Sequence, residues 1–466
     1  MAEPAVAHRS LAQLRADEYD YLDRRGQVYL DYTGSGLAAR SQLRAHHERL
    51  SEGLFGNPHS ENPASVASTQ LVENARRAVL AYLHASPSEY AVIFTPNATG
   101  ACRLVGEAYP FGPGSALILT ADNHNSVNGL REYARARQAR TVPVPVRAPD
   151  LRVDEPALMD ALRTGRGRSP SLLAYPAQSN FTGVQHPLRW VGLAHQHGFD
   201  VLLDAAAFLP TNPLRLDRVK PDFVTVSWYK VFGYPTGVGC LVARREALAR
   251  LRRPWFSGGT ILAVSVQADW YRLAEDESAF EDGTLNFLSI PDVQVGLSWM
   301  ESIGIERIRG NVQQLTGGLL ARLGALRRGN GRPMVRIYGP RDTRERGGTV
   351  ALNLLDPDGV LVDERLVAIE SAAAGISLRT GCFCNPGAGE GAFEISDDQL
   401  AGSAEWGTRT VDEYLDRIGL PTGGAVRVSL GLASNQADVE RFLDFTERTY
   451  RDRPATTEGL APRLRC

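Results

Sequence analysis

Lysine is almost missing from this chain: only Lys220 and Lys230 occur among 466 residues, although Lys+Arg totals 51. Arginine, permanently protonated, cannot act as an amine, so a lysine kept in such a chain points to amine chemistry. An ordinary surface lysine is the plainer alternative. Cysteine is scarce too. Cys102, Cys240, Cys382, Cys384 and Cys466 are too few and too scattered for a disulfide framework. Cys382-Phe-Cys384 matches neither the usual zinc spacing nor a redox pair, so no metal is expected and a reactive thiol is the better reading. No apolar run approaches the roughly 18 residues of a membrane helix, and the N-terminus lacks a signal peptide's apolar core. A cytoplasmic protein with no membrane partner is therefore expected. The formal net charge of −2 gives no reason to expect nucleic acid.

What is present reads as an ordinary globular chain, 43% hydrophobic and 22% charged. Short apolar runs at 90–94, 115–119, 172–175, 201–203 and 223–226 alternate with amphipathic helical patterns. That alternation predicts an α/β fold with a largely parallel sheet and helices on both faces. Helices are expected at 41–54, 68–84 and 290–303. The last connects a large unit, residues 30–300, to a smaller α+β unit made of 1–29 and 301–455. In the smaller unit 346–354 and 425–430 read as strands, 361–374 and 436–451 as helices, and 456–466 as a flexible tail.

Ligands of open parallel sheets bind beyond the carboxyl ends of the strands, and polar clusters sit at each of these ends. Thr99, His124, Asn180, Asp204 and Lys230 are thereby predicted to converge. A helix starting near Thr99 would offer N–H groups and a hydroxyl to a phosphate, although a plain helix cap explains Thr99 as well. His124 by itself is more often a hydrogen-bonded structural histidine. Asp204 follows a buried apolar strand, where an unpaired carboxylate is costly, so it needs a cationic or donor partner. Lys230 lies in Ser227-Trp-Tyr-Lys-Val-Phe-Gly-Tyr-Pro-Thr-Gly237, a strand end followed by a glycine-rich loop. Together these residues supply what pyridoxal phosphate needs: an amine for a Schiff base, a carboxylate for the ring nitrogen, a stacking ring and phosphate donors.

Several segments in order, from Leu30-Asp-Tyr-Thr-Gly34 through Asp122-Asn-His-Asn-Ser126, Pro176-Ala-Gln-Ser-Asn-Phe-Thr-Gly183, Leu203-Asp-Ala-Ala-Ala207 and Glu281-Asp-Gly-Thr284 to Leu378-Arg-Thr-Gly-Cys-Phe-Cys-Asn-Pro-Gly387, carry a resemblance. The chain resembles class V, fold-type-I pyridoxal phosphate enzymes of the cysteine desulfurase family. Within them it is most similar to the desulfurase-like domain of molybdenum cofactor sulfurases. The resemblance implies a large, mostly parallel, seven-stranded-type sheet domain, a smaller α+β domain and a homodimer. It implies that Lys230 holds the cofactor, Asp204 its ring nitrogen, and that His124 stacks on the ring and moves protons. Asn180, with Gln178, would contact the ring hydroxyl. Thr99 and Ser227 would bind phosphate, with Thr284 given by the neighbouring subunit. Arg379 would hold a substrate carboxylate, and Cys384 would take sulfur from L-cysteine as a persulfide, releasing alanine.

Two residues depart from the family pattern. Ala207 replaces a glutamine, and Tyr229 stands where many relatives have a phosphate-binding histidine; both point to the sulfurase branch. Full-length members of that branch carry a further C-terminal domain, so the acceptor, a protein or a small molecule, stays open. Cys382 is read as supporting or bystander, Cys102 and Cys240 as packing residues, and Cys466 as a reactive thiol or a disordered end. The rival reading keeps the cofactor without the persulfide: a C–S β-lyase, an aminotransferase or another amino-acid-modifying enzyme.

Overall fold

Each apolar run becomes a strand because its β-branched and aliphatic residues fill both faces of one central sheet. The computed structural model describes residues 9–463 except 59, 166, 168, 404, 405 and 421. Its large sheet comprises β1 (Tyr90–Thr95), β2 (Ala116–Thr120), β3 (Arg140–Val144), β4 (Ser171–Pro176), β5 (Phe199–Asp204), β6 (Phe223–Ser227) and β7 (Gly239–Arg244). The order is β1-β7-β6-β5-β4-β2-β3. Only β7 runs antiparallel to its neighbours, Gly239 pairing with Thr95 on one side and Ser227 on the other. The remaining pairs are parallel. This is the expected seven-stranded α/β sheet. The pattern of apolar runs did not reveal β3 or β7: β3 contains Pro143, which an edge strand tolerates, and β7 follows directly on the glycines of the Lys230 loop.

Alternate residues enter two cores. Val92, Phe94, Val201 and Leu203 join the larger one, while Ala91, Ile93 and Leu202 face the other. Among the helices on these faces, Pro63–Tyr82 starts five residues before the expected Ser68, because Asn62 caps it, accepting from the Ser65 N–H, and Pro63 takes the first position. Pro291–Ile303 forms as predicted. Gly304, with φ of +89°, then turns the chain directly into Ile305–Ala325, a helix the sequence reading passed over.

A second sheet is antiparallel: β8 (Val335–Tyr338), β9 (Thr349–Leu354), β10 (Arg379–Gly381) and β11 (Ala425–Ser429), in the order β8-β9-β11-β10. The expected strand at 346–354 starts three residues late, since Arg346 is spent as a buried guanidinium on the carbonyls of Thr182 and Thr349, both at 3.0 Å. The apolar segment 28–32 forms only a short bridge. Val28–Tyr29 pairs with Ile376–Ser377, and Asp31 lies against Ser429 of β11. The last described residues are fastened rather than loose. Arg463, nearly buried, pairs with Asp363 at 2.7 Å, Glu364 at 2.8 Å and Asp412 at 2.6 Å, a set of partners too far apart in sequence for a periodicity argument to find. Cys466 lies outside the described residues. Among the described residues no helix is long and apolar enough to cross a membrane.

Candidate active site

At the carboxyl edge of the large sheet lies a cavity of about 330 Å³. Thr99, His124, Gln178, Asn180, Asp204, Ser227 and Lys230 all line it, together with Asn97, Ser126 and Tyr229. The strand-end argument thus brings its predicted residues together. The other three are elsewhere. Thr284 lines an adjacent cavity of about 320 Å³, where Asn57 Nδ2 donates to its hydroxyl at 3.5 Å, and Arg379 and Cys384 flank the first cavity without lining it.

Lys230 sits on the short helix Trp228–Phe232, immediately after β6. That helix ends at Gly233, φ +80°, where a Cβ would lie 2.2 Å from the backbone of Leu37 and Ala38. Only glycine lets the 34–38 loop close over the helix end. Burial depresses the proton affinity of Lys230; Asp204 opposes this, while the Arg427 and Arg379 cations add to it. No hydrogen-bond partner of the Lys230 amine is found among the described residues. Asp204, at the end of β5, accepts from the Ala206 N–H at 3.0 Å and the Thr225 hydroxyl at 3.3 Å, both on Oδ1. Its Oδ2 takes no protein donor among the described residues, which leaves one carboxylate oxygen for a ligand donor.

The helix Ala98–Ala108 points its N-terminus at the same space. Its cap is Asn97, not Thr99: Asn97 Oδ1 accepts from the Gly100 N–H at 2.9 Å, and the Ser227 hydroxyl accepts from Ala98 at 2.9 Å. The Thr99 N–H is left over among the described residues, an anion donor by position and dipole. The Thr99 and Ser126 hydroxyls share a 2.7 Å hydrogen bond, and Ser126 N–H donates to His124 Nδ1 at 3.1 Å. Nδ1 as acceptor puts the proton of neutral His124 on Nε2. Burial first, then the Lys230 and Arg427 cations, lower the His124 pKa.

Gln178 and Asn180 do more than line the wall. Gln178 donates to the Ala207 carbonyl at 2.9 Å, so the departure at Ala207 is bridged by its backbone. Asn180 Nδ2 donates to the Phe383 carbonyl at 2.8 Å, and its Oδ1 accepts from Asn385 at 2.8 Å. Asn385 also reaches the Asp122 carbonyl at 2.7 Å, and the Asn125 N–H donates to the Cys384 carbonyl at 2.7 Å. The Cys384 loop is thus stitched to the cavity wall beside His124. Phe383 and Cys384 both have positive φ, +56° and +53°, and Asn385 N–H closes the turn on the Cys382 carbonyl at 3.0 Å. Phe383 points inward, against Phe181 and under the Arg427 guanidinium at 4.7 Å, while Cys384 is exposed. Cys102 and Cys240 are buried, which pushes their thiols up, away from reactivity.

Sequence reasoning missed Arg427. It is a buried cation in the middle of the wholly buried strand β11, donating to Asp31 at 2.9 Å and to the Asn180 carbonyl at 3.1 Å. A charged residue inside the apolar run Ala425-Val-Arg-Val-Ser429 was the available signal. Arg379 is held from the other side of the same carboxylate, its Nε 3.0 Å and its terminal nitrogen 2.7 Å from Asp31 Oδ2.

The class-V aminotransferase family model matches residues 28–442. The chain belongs to that family. Among its relatives the molybdenum cofactor sulfurase of Bos taurus is 38% identical over 457 residues, covering 94% of this chain and 51% of the relative. That of Arabidopsis thaliana is 35% identical, covering 96% and 59%. The chain thus spans little more than half the length of these relatives. A solved cysteine desulfurase from Thermococcus onnurineus superposes with a TM-score of 0.79 at 23% identity, over 97% of this chain and 99% of that one, and shares its fold.

Proposed function

We propose that the chain is a pyridoxal phosphate-dependent cysteine desulfurase that removes sulfur from L-cysteine and passes it to an acceptor. The observation that carries this reading is a Lys230–Asp204 cavity to whose wall the Cys384 loop is stitched through Asn180. The cavity fits the cofactor on three counts. Among the described residues the amine of Lys230 has no hydrogen-bond partner and Asp204 Oδ2 no donor; the amine, depressed in proton affinity, suits a Schiff base, that oxygen a protonated ring nitrogen, and the N-terminus of Ala98–Ala108 with Thr99 and Ser227 a phosphate. Bound there, pyridoxal phosphate supplies an electron sink for bonds at the α-carbon of an amino acid.

The chain's own groups do the rest. Lys230 would anchor the cofactor and, with its lowered pKa, would serve as the base for the α-proton. His124, kept neutral, lines the cavity, and its Nε2, which has no hydrogen-bond partner among the described residues, can give or take a proton. Arg379 and Arg427 attract the substrate carboxylate, and Thr284 serves the partner's phosphate site in a homodimer. The Cys384 thiolate attacks the substrate sulfur; an S–S bond forms as the C–S bond breaks, and the carbon takes up a proton. Cysteine plus the Cys384 thiol thus yields alanine plus a Cys384 persulfide, with no external oxidant. The exposed turn then offers that sulfur to an acceptor, which the relatives' names suggest is a molybdenum cofactor.

The homodimer is supported by a hairpin at 261–273 flanked by Trp255 and Phe256. It exposes Leu262 at 62%, Val266 at 91% and Trp270 at 50%, a cluster of a kind that marks interfaces. A cytoplasmic location fits a reactive, exposed thiol.

Single-turnover incubation of the yellow protein with L-cysteine, followed by intact mass and peptide mapping, tests the reading. One sulfur gained on the Cys384 peptide, with alanine released and both lost in Cys384→Ser, is the expected result. No loading, while the cofactor absorbance still responds to another amino acid, moves the chain to the β-lyase or aminotransferase reading.

A further inference from the structure

Arg379 of β10 and Arg427 of β11 are directly opposed partners in neighbouring antiparallel strands. Such partners project from the same face with their Cβ atoms about 5 Å apart, and like charges so placed repel. Asp31, from the segment lying against β11, resolves the conflict. Its Oδ2 takes two donors from Arg379 at 3.0 and 2.7 Å, and its Oδ1 takes one from Arg427 at 2.9 Å. Tyr29 Oη, 3.4 Å from the Asp31 carbonyl, and Gly34 complete the surroundings. A Cβ on Gly34 would fall 2.5 Å from Asp31 Oδ2 and 2.7 Å from the Arg379 guanidinium, so the clamp closes only because residue 34 has no side chain.

Two cations share one anion, leaving a surplus of one positive charge. Arg427 is 4% exposed and its buried Nε has no hydrogen-bond partner among the described residues, so the pair is short of one negative charge where a lone cation is costly. One carboxylate supplies it. Arg379, by contrast, keeps half its side chain in solvent and, among the described residues, its guanidinium hydrogen-bonds to Asp31 alone.

We propose that Asp31 is the positioning residue of the substrate-carboxylate subsite, holding the opposed arginines as a pair one carboxylate short of neutrality. This rests on the reading of the cavity as an amino-acid site. Asp31 touches no substrate atom. It sets the direction of Arg379 and limits the pair's surplus to a single charge, which suits an amino acid with an uncharged side chain over a dicarboxylic one.

The test uses L-alanine and ethylamine, which differ by one carboxylate, as ligands of the cofactor-loaded full chain, with half-saturation read from the cofactor absorbance. Wild type prefers alanine. In Asp31→Asn that preference falls at least about tenfold, the scale of a lost charge-assisted hydrogen bond. Gly34→Ala, which leaves Asp31 in place and crowds the clamp, lowers it in the same direction. In an Arg379→Ala background Asp31→Asn costs less than it does alone. A merely structural role weakens both amines alike, so an alanine preference that survives Asp31→Asn and Gly34→Ala overturns the proposal for Asp31. A wild-type protein that binds both amines but does not prefer alanine sinks the amino-acid reading itself, and Asp31 with it.

Discussion

Asn180 donates to the carbonyl of Phe383 at 2.8 Å, so a residue of the cavity wall and the residue preceding Cys384 move together. The cavity and the Cys384 turn share this joint. Asn385, with no exposed surface, is the second half of it, through its bonds to Asn180 and Asp122.

Breaking the joint without touching the cavity wall isolates its role. Asn385→Ala leaves two buried acceptors unpaired, at about 1–3 kcal/mol each. We expect the cofactor spectrum to be retained and sulfur loading on Cys384, followed by rapid-quench mass spectrometry, to slow about tenfold. Loading at the wild-type rate would show that the turn needs no such support.

Cys384 is held at φ +53° without being glycine, a conformation costing about 1–2 kcal/mol per residue. Cys384→Gly should therefore abolish sulfur loading while raising the free energy of denaturant unfolding by up to about 1 kcal/mol. An unfolding midpoint lower than wild type would refute strain at this position.

Lys230 gives a pH signature of stability. Burial depresses its pKa, so between the folded and unfolded pKa values the unfolded chain binds more protons, and stability rises with pH through that window. Below it, the buried ammonium is a penalty. In the cofactor-free protein, Lys230→Met should be more stable than wild type at neutral pH, and the gap should close as the pH approaches about 10. A gap that does not change with pH would rule out the charge as its cause.

His124, depressed by burial and by the Lys230 and Arg427 cations, should stay neutral to pH values below the ordinary histidine range of about 6.5. The acid limb of the single-turnover pH profile then lies under that value. Removing one cation with Arg427→Met should move the limb upward, whatever happens to the rate. A limb that shifts down or stays put would mean that another group controls it.

The sequence carried the sheet and most of the cavity because both follow from local pattern: apolar runs make strands, and strand ends collect the polar residues that ligands meet. Lys230, Asp204, Thr99 and His124 could be placed in one cavity for that reason, whereas the parts proposed for Cys384 and Arg379 came through the family resemblance. Arg427 and Asp31 were not, since their significance exists only in a contact spanning 396 residues. Asn180 was found, but not its grip on Phe383, which lies 203 residues away. The helix expected near Thr99 starts at Ala98, and only its cap differs, since Asn97 and Thr99 are both able caps and only geometry chooses between them.

The scarcity of lysine also gives the protein a chemical handle. Lys220 stands at the surface in a 2.8 Å pair with Glu89, and the other ε-amine is inside the cavity. An amine-reactive tag thus meets one accessible lysine and one guarded by whatever occupies the site. Labelling at Lys230, read by peptide mass so that the α-amine is counted apart, reports cavity vacancies, and Lys220 offers a surface lysine of known position for conjugation.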